Sequence, residues 1–457
     1  MSGERPINAD VPVPGGPEAG EAATEDAPKP ATTPAAAPKR AARRRRRRVP
    51  GALKLIAALV AVAIVFILAA VLGGRGGSND ASSGSPAPAP VPAPAKGGAP
   101  SQSGATQTAE ALGYPAFATN NTTRIGGSDP AANAAGAALA VFPATTPAQR
   151  PAAVAIVDEE DWAGAIAAAV LMAPPLRAPL LVSSPGGTPE PTAQALAALE
   201  PQGSPASGGA AAFTVGAVAA PEVAGRVTAI KGSSAAATAA AIAKLRDRLF
   251  GAAPAHVLVA AADRPDFAMP AAAWAARSGD PVLYAEGGKL PPPTAAALAR
   301  HRDVPVYVLG PASAIPASVL AEIAKIDHRV HRVAGADAVA NAIAFARYAD
   351  GGFGWDVNDP GHGFVLARSD SPLDAAAAAA LSASGTWGPL LLTDSAATLP
   401  KALREYFLDL KPGYTTNPTR AFYNHVWVIG DQEAIDVNQQ AEVNELAELA
   451  KIGGEEP

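Results

Sequence analysis

The sequence predicts three α/β units in tandem, each a parallel sheet flanked by helices, placed after one transmembrane helix and disordered segments. Two observations support this prediction. A segment with an arginine and an alanine-rich helical stretch occurs three times, at Arg124, Arg226 and Arg332, about 100 residues apart. After each copy, continuous apolar runs of strand length alternate with helical stretches, and such runs are typical of strands covered on both faces of a parallel sheet.

The predicted membrane segment lies near the N-terminus. Residues 52–72 are 21 residues, ALKLIAALVAVAIVFILAAVL, interrupted only by Lys54, and a helix of this length reaches about 30 Å, the thickness of a hydrocarbon core. Six consecutive arginines at 43–48 precede it and Arg75 follows it, so the positive-inside rule places the N-terminus in the cytoplasm. The alternative, a cleaved signal peptide, would have a shorter apolar run and a shorter leader.

The segments on either side of this helix cannot form a core. Residues 1–48, a basic cytoplasmic tail, are rich in Pro, Ala, Gly and Glu, which predicts disorder. The helix occupies 49–73, and residues 74–118 are a Pro/Gly/Ala linker that predicts a semi-rigid spacer. The chain is therefore expected in the cell membrane, single-pass, with its C-terminal part outside the cell.

The charge distribution separates the two parts of the chain. Residues 1–100 contain 13 Lys+Arg and 7 Asp+Glu, a net charge of +6, whereas residues 101–457 contain 23 and 34, a net charge of −11. An acidic exported part repels polyanions, so nucleic acid is not expected as a partner. The arginine run next to the predicted membrane helix favours contact with anionic lipid. The absence of cysteine excludes disulfides, thiolate metal sites and a cysteine nucleophile.

Each unit is expected to contain three buried strands. The predicted first strands begin at Ala153, His256 and Gly363, the second at Ala178, Asp280 and Gly388, and the third at Ala211, Val306 and Val426. A proline-containing turn leads from the second strand into a helix, as in LPPPTAAALARH from Leu290. The predicted units are 119–225, 226–331 and 332–457, the last with a C-terminal helix.

Two short motifs recur in these units. The sequences RIGGSD at 124–129 and RVAGAD at 332–337 share one pattern, and PLLV at 179–182, PVLY at 281–284 and PLLL at 389–392 share another. These motifs resemble the cell wall binding repeat 2 family of Gram-positive surface proteins, whose repeats open on R-(I/V)-x-G-x-D-R-Y-x-T-A and contain P-(I/L)-L-L. The second Arg, the Tyr and the Thr of that opening are missing from all three copies. Of the family's F-A-D-A-L element, only the third copy keeps Leu373-Asp374-Ala375.

The resemblance implies three repeats around a pseudo-threefold axis within one chain, which hold anionic wall polymers noncovalently near the repeat interfaces. It therefore implies a protein without catalysis or cofactors, whose partner is a cell-wall polymer or peptidoglycan. Membrane lipid is expected as a further partner, through the predicted helix and the basic tail. Two alternatives remain open. One is a scaffold that binds another envelope protein, and the other is an α/β enzyme or small-ligand receptor. For the latter, the loop with Trp355, Asp356, Asp359 and His362 in the third copy is the candidate site.

The candidate ligand-binding residues belong to the repeated motifs. Arg124, Arg226 and Arg332 present guanidinium groups that suit phosphate or carboxylate, while the alternative is that each pairs with an acidic residue of a neighbouring unit. The leucines of the second motif are the other candidates, with burial in a strand as the alternative; they are Leu180, Leu181, Leu283, Leu390 and Leu391. No metal site is predicted.

A cluster of four acidic residues lies at the end of a predicted strand. They are Asp158, Glu159, Glu160 and Asp161. Paired carboxylates at such a place are compatible with a glycoside hydrolase, but adjacent acids in a loop are usually solvated. The sequence contains no G-x-S-x-G, so a serine hydrolase of that type is not indicated.

Overall fold

The computed structural model describes residues 117–385 and 388–453. The predicted tail, the predicted membrane helix and nearly all of the predicted linker lie outside the described residues. Within the described residues, no helix combines the length and the apolar character that crossing a bilayer requires.

Three four-stranded sheets have the same strand order. They run β4-β3-β5-β6, β8-β7-β9-β10 and β12-β11-β14-β2, and the short strand β1 extends the third sheet next to β2. All neighbours pair in parallel except β1 with β2. The strands are β1 (Phe117–Ala118), β2 (Thr122–Ile125), β3 (Val154–Asp158), β4 (Leu180–Ser183), β5 (Ala210–Val215), β6 (Arg226–Ile230), β7 (Val257–Ala261), β8 (Val282–Ala285), β9 (Val306–Leu309), β10 (Val330–Val333), β11 (Gly363–Arg368), β12 (Leu390–Thr393), β13 (Gly413–Tyr414), β14 (His425–Ile429) and β15 (Ala450–Lys451).

Helices follow most of the strands, and consecutive parallel neighbours such as β3 and β4, β7 and β8, and β11 and β12 are joined by helical crossovers. A small separate pair, β13 with β15, lies near the C-terminus of the described chain. The helices are α1 (Pro130–Val141), α2 (Trp162–Ala168), α3 (Glu190–Leu199), α4 (Ala235–Phe250), α5 (Pro265–Ser278), α6 (Pro292–Arg300), α7 (Ala317–Ala324), α8 (Ala338–Arg347), α9 (Pro372–Ser382), α10 (Lys401–Asp409) and α11 (Val437–Ala447).

The predicted α/β class is confirmed, with parallel sheets flanked by helices in each copy. The apolar runs AVAIVD, HVLVAAA and GFVLARS contain the central strands β3, β7 and β11. Every residue of β3 and β7 is buried, because helices cover both faces of these sheets. The predicted proline-led helix after Leu290 is α6.

The strand at the start of each copy belongs to the sheet of the preceding copy. Strand β6 pairs with β5, and β10 pairs with β9. The helix that follows each of them packs on the next unit instead, since α4 contacts β8 and α6, and α8 contacts β12 and α10. Each junction between units is thus made by one strand and one helix that follow each other in the chain.

The first strand of the chain completes the last sheet in the same way. Strand β2 pairs with β14, and α1 then packs on β4 and α3 of the first unit. The first and third units are therefore joined directly, and contacts between units run from the first to the second, to the third, and back to the first.

Three alanine-rich helices meet where the units join. Helices α2, α5 and α9 all contact one another, and their sides are buried nearly all round. A helix that is apolar on every side is a core helix, and alanine side chains allow such helices to approach closely. Much of the alanine in these three helices is therefore buried where the units join.

Glycine is required where each joining strand passes its own helix. A Cβ at Gly127 would lie 2.7 Å from the main-chain nitrogen of Asn133, and a Cβ at Gly335 would lie 2.2 Å from that of Asn341. This glycine lies two residues before the N-cap of the helix, as Gly335 lies before Asp337. Residues of the three copies that lie at the same distance from this glycine are therefore equivalent.

Candidate functional site

A cleft of about 420 Å³ opens at the carboxyl edge of the third sheet. Strands β2, β11 and β14 end there, and the loops that follow them line the cleft together with a loop of the first unit. The loops and the first residues of the helices that follow them contribute residues 127–129, 370–374, 430–431 and 159–162. Carboxyl ends of parallel strands are where open α/β sheets bind ligands. The cleft lies between the third and the first unit.

Trp162 forms the wall on the side of the first unit. Its ring meets the ring of Tyr284 edge on, with centroids 6.1 Å apart. The Tyr284 hydroxyl donates to the main-chain oxygen of Ala163 at 2.7 Å. Because Tyr284 belongs to β8, a residue of the second unit holds the start of α2, and the position of this wall depends on the second unit as well.

The cleft is strongly acidic. Of the described residues that line it, none is Lys, Arg or His. The carboxylates are those of Asp129, Glu159, Glu160, Asp370, Asp374 and Asp431. Opposite charge on a ligand would favour binding at such a surface, and like charge would disfavour it.

Asp374 and Asn133 form a buried polar pair at the base of the cleft. The Asn133 Nδ2 donates to Asp374 Oδ1 at 3.1 Å, and the two residues are 2 % and 8 % exposed. Burial raises the pKa of Asp374 to about 6, the Asn133 hydrogen bond opposes this, and Asp129 with the other nearby carboxylates adds to it. The Asn133 Oδ1 is buried and accepts no hydrogen bond from the described residues.

The other carboxylates from the third sheet have local partners. Asp129 is the N-cap of α1 and accepts from the main chain of Ala132 at 2.9 Å. Asp370 binds Arg368 through both carboxylate oxygens, at 3.2 and 2.8 Å, and this hydrogen bonding lowers the pKa of Asp370. Asp431 accepts from two main-chain nitrogens of its own loop. Glu159 and Glu160 are exposed at the cleft.

Arg124 lies beneath the cleft with its guanidinium buried. Its Nε donates to Gln440 Oε1 at 2.8 Å, its Nη1 to the main-chain oxygens of Gly430 and Asp431 at 2.7 Å, and its Nη2 to that of Ile435 at 2.7 Å. Burial lowers the pKa of Arg124, although Asp431 opposes this. The guanidinium therefore holds the loop after β14, and it does so through main-chain carbonyls rather than through an acidic side chain.

Arg332 repeats this arrangement in the second unit. It lies opposite Val308 in the ladder, as Arg124 lies opposite Val428, and its guanidinium donates to the main-chain oxygens of Gly310 and Ile315. The two arginines thus hold the same loop in two copies. Burial lowers the pKa of Arg332 as well.

Arg226 does not occupy the equivalent position, so aligning it with the other two arginines was wrong. Ala229 lies opposite Thr214 and three residues before Gly232, the spacing that Arg124 has to Gly127. Arg226 lies at the start of β6, exposed, and donates to the main-chain oxygen of Gly208. The proposed ligand contacts of the three arginines stay predictions.

The five candidate leucines lie in the strands β4, β8 and β12 and are each at most 1 % exposed. They are Leu180, Leu181, Leu283, Leu390 and Leu391. Their positions are those of sheet core residues, and the structure brings none of them to the lining of the acidic cleft. Their role in binding stays a prediction.

The acidic cluster after β3 divides into two pairs. Asp158 accepts from the main-chain nitrogens of Glu160 and Ala217, both at 3.1 Å. Asp161 is the N-cap of α2 and accepts from the main chain of Gly164 at 2.7 Å. These two carboxylates stabilise the turn, whereas Glu159 and Glu160 face the cleft.

The inserted loop of the third copy packs on the second unit. Trp355 is buried against Trp274, with ring centroids 5.5 Å apart. Asp359 pairs with His362 at 3.2 Å, and Asp356 accepts from Asn358. The loop lies beside His256, at the amino edge of the second sheet. The loop therefore covers part of the hydrophobic core of the second unit and lies away from the carboxyl edges of the sheets.

Sequence reasoning missed Asn133 and Trp162 as cleft residues, and it treated Asp374 only as part of a motif. One signal was available for Asn133. Asn133, Thr238 and Asn341 each lie four residues after a helix N-cap, which marks a polar position that recurs in all three copies. Its contact with Asp374 joins two residues 241 positions apart and has no local signal.

Comparisons with known proteins agree with this architecture. The sequence model of the cell wall binding domain 2 (CWB2) family matches residues 229–320 and 332–439. No curated protein sequence matches the chain. Among solved structures, Cwp8 from Clostridium difficile is similar over 72% of this chain and 52% of its own, with 19% identity and a TM-score of 0.54.

A second solved structure gives the same result. Cwp6 from Clostridium difficile is similar over 72% of this chain and 47% of its own, with 19% identity and a TM-score of 0.52. The chain spans about half the length of each, and at this identity the likeness concerns the fold. Two stretches of the chain, residues 229–320 and 332–439, are thus similar to the cell wall binding domain 2 family.

Proposed function

We propose that this chain is a membrane-anchored, noncatalytic cell-envelope protein whose three units bind cell-wall polymer or peptidoglycan. The observation that carries the proposal is the match of two units to the cell wall binding domain 2 family. The first unit adds the same strand order, and the cleft lies at its junction with the third unit. A pseudo-threefold arrangement of the units is part of the proposal and is supported by the mutual packing of α2, α5 and α9.

The composition of the cleft supports a carbohydrate-containing ligand. Trp162 offers an aromatic ring, and the carboxylates offer hydrogen-bond acceptors for hydroxyl or amino groups. Sites of this kind combine an apolar wall with a few placed polar groups. A polymer chain could enter because the cleft is open at the sheet edge.

The noncatalytic part of the proposal is supported by the partners of the acidic residues. Asp158 and Asp161 accept main-chain hydrogen bonds, and Asp374 is held by Asn133. These carboxylates hold turns and helix ends together. The proposal therefore assigns the cleft to binding.

The membrane anchor is the apolar segment 52–72, supported by its length and by the arginines at 43–48. The helix and the basic tail would contact membrane lipid, and residues 74–118 would place the units in the cell wall. The location proposed is the cell membrane, with the N-terminus in the cytoplasm and the units outside.

Co-sedimentation with isolated cell walls tests the binding. The full chain in a non-ionic detergent is expected to pellet with walls in a saturable manner. Glu160→Gln in the cleft is expected to raise the wall concentration for half-maximal pelleting, whereas Glu405→Gln on α10, 61 % exposed, leaves it unchanged. Pelleting no greater than that of an unrelated detergent-solubilised protein would reject wall binding. Recovery of one crosslinked envelope protein, without wall binding, would support the scaffold alternative instead.

A further inference from the structure

We propose that the acidic cleft binds a ligand unit that carries a primary ammonium group, the amine of an amino sugar or of a diamino acid side chain. This inference rests on the proposed wall binding and specifies its ligand chemistry. It differs from the anionic polymer that the family resemblance implies.

The lining of the cleft carries an excess of negative charge. Six carboxylates face the cleft, and none of the described lining residues is cationic. The two arginines next to it are engaged, since Arg368 binds Asp370 and Arg124 binds the loop after β14. The carboxylates of Glu159 and Glu160 bind no side chain among the described residues, so they are available to a cation.

The Asn133 Oδ1, a hydrogen-bond acceptor without a donor among the described residues, is an independent indication of a ligand. Asn133 is 2 % exposed and lines the cleft, and its Nδ2 is bound to Asp374. Its Oδ1 has no donor among the described residues, and a buried acceptor without a partner costs about 1–3 kcal/mol. Of the described lining residues, most offer acceptors, so the ligand must bring the donors.

An ammonium group fits these demands better than a metal ion. Within residues 117–385 and 388–453, no three His, Cys, Asp or Glu side chains are grouped to hold a metal, so the carboxylates are spread along the cleft. An ammonium group has three donors and no acceptor. It can bind Glu160 and also contact the face of Trp162, because cations are attracted to indole rings.

Calorimetric titration of the full chain in detergent tests this inference. The amino-sugar probe is the tetramer of glucosamine, and its control is the N-acetylated tetramer. The diamino-acid probe is the peptide Ala-Glu-Lys-Ala with an acetylated N-terminus, and its control is the same peptide with the lysine side chain acetylated as well. The two pairs are measured at pH 7 and low salt, and they distinguish the two sources of the amine.

At least one free amine is expected to bind at least tenfold more tightly than its acetylated form. Glu160→Gln should weaken that binding at least threefold, while Glu405→Gln should leave it unchanged, and both variants should unfold at the wild-type temperature. Equal affinity for free and acetylated probes, or no binding of either amine, would overturn the inference. The co-sedimentation with cell walls tests the proposed function separately. If the chain pellets with walls but does not distinguish free from acetylated amines, the inference is rejected and wall binding stands. If the chain binds amines but does not pellet with walls, wall binding is rejected and the inference about the cleft stands.

Discussion

Replacing Asp374 with Asn should stabilise the protein at neutral pH and leave it nearly unchanged at acid pH. The pKa of Asp374 is raised to about 6 in the folded chain, chiefly by burial, whereas an unfolded aspartate has a pKa of about 3.9. The folded state thus binds the proton more tightly. The contribution of Asp374 to the free energy of unfolding is therefore highest below about pH 4, falls as pH rises toward about 6, and is constant above that.

The size of the effect follows from the difference in pKa. Two pKa units correspond to about 3 kcal/mol between the two ends of this range. The groups that face Asp374 are Asn133 on α1 and the carboxylates of Asp129, Asp370 and Asp431. An amide at position 374 removes the repulsion from these carboxylates, and it can also donate to the Asn133 Oδ1.

Urea titrations of the full chain in detergent between pH 4 and pH 8 measure this effect. The difference in unfolding free energy between Asp374→Asn and wild type should rise by about 2–3 kcal/mol over the range, since other titrating groups cancel in the difference. Asp263→Asn, at an exposed aspartate after β7, is the matched control for the substitution itself. A flat difference for Asp374→Asn would refute the assignment of a strained buried carboxylate.

Three further outcomes are expected. Arg124→Met should lower the free energy of unfolding by about 3–5 kcal/mol, because it leaves buried carbonyl groups without donors. The control Arg226→Met, at an exposed arginine, should change it by no more than about 0.5 kcal/mol. Thermal unfolding of both variants measures these changes. Gly335→Ala should destabilise by at least about 1 kcal/mol, since its Cβ would lie 2.2 Å from main chain, whereas Gly186→Ala meets nothing closer than 3.8 Å. Deletion of 52–72 should move the chain from the membrane pellet to the soluble fraction of a cell lysate, and retention in the pellet would contradict the anchor.

Much of the fold could be predicted because its signals are local. A buried parallel strand needs a continuous apolar run, so the segments from Ala153, His256 and Gly363 could be recognised without their neighbours. Repetition of the same runs three times then predicted three similar units. The family resemblance rested on short motifs of this kind, and the family match confirms it.

The site was harder to predict because its members come from distant parts of the chain. Arg124 satisfies carbonyls of a loop 306 or more positions away, so its contact with that loop could not be predicted from RIGGSD. Arg226 looked equivalent because it opens a similar segment, but the strand ladder puts Ala229 in that place. The pairing register is a tertiary property.

The sequence by itself determined the α/β class, the triplication, the central strands and the resemblance to a cell wall binding family, because apolar periodicity and repeated motifs act within a few residues. Tertiary structure alone decided that each copy lends its first strand to the preceding sheet and that β2 completes the last one. It also brought Glu160, Asn133 and Asp374 to one cleft. The physical reason is that strand pairing and helix packing between units place residues by contact rather than by order in the chain, and no local pattern encodes which edge a strand will join.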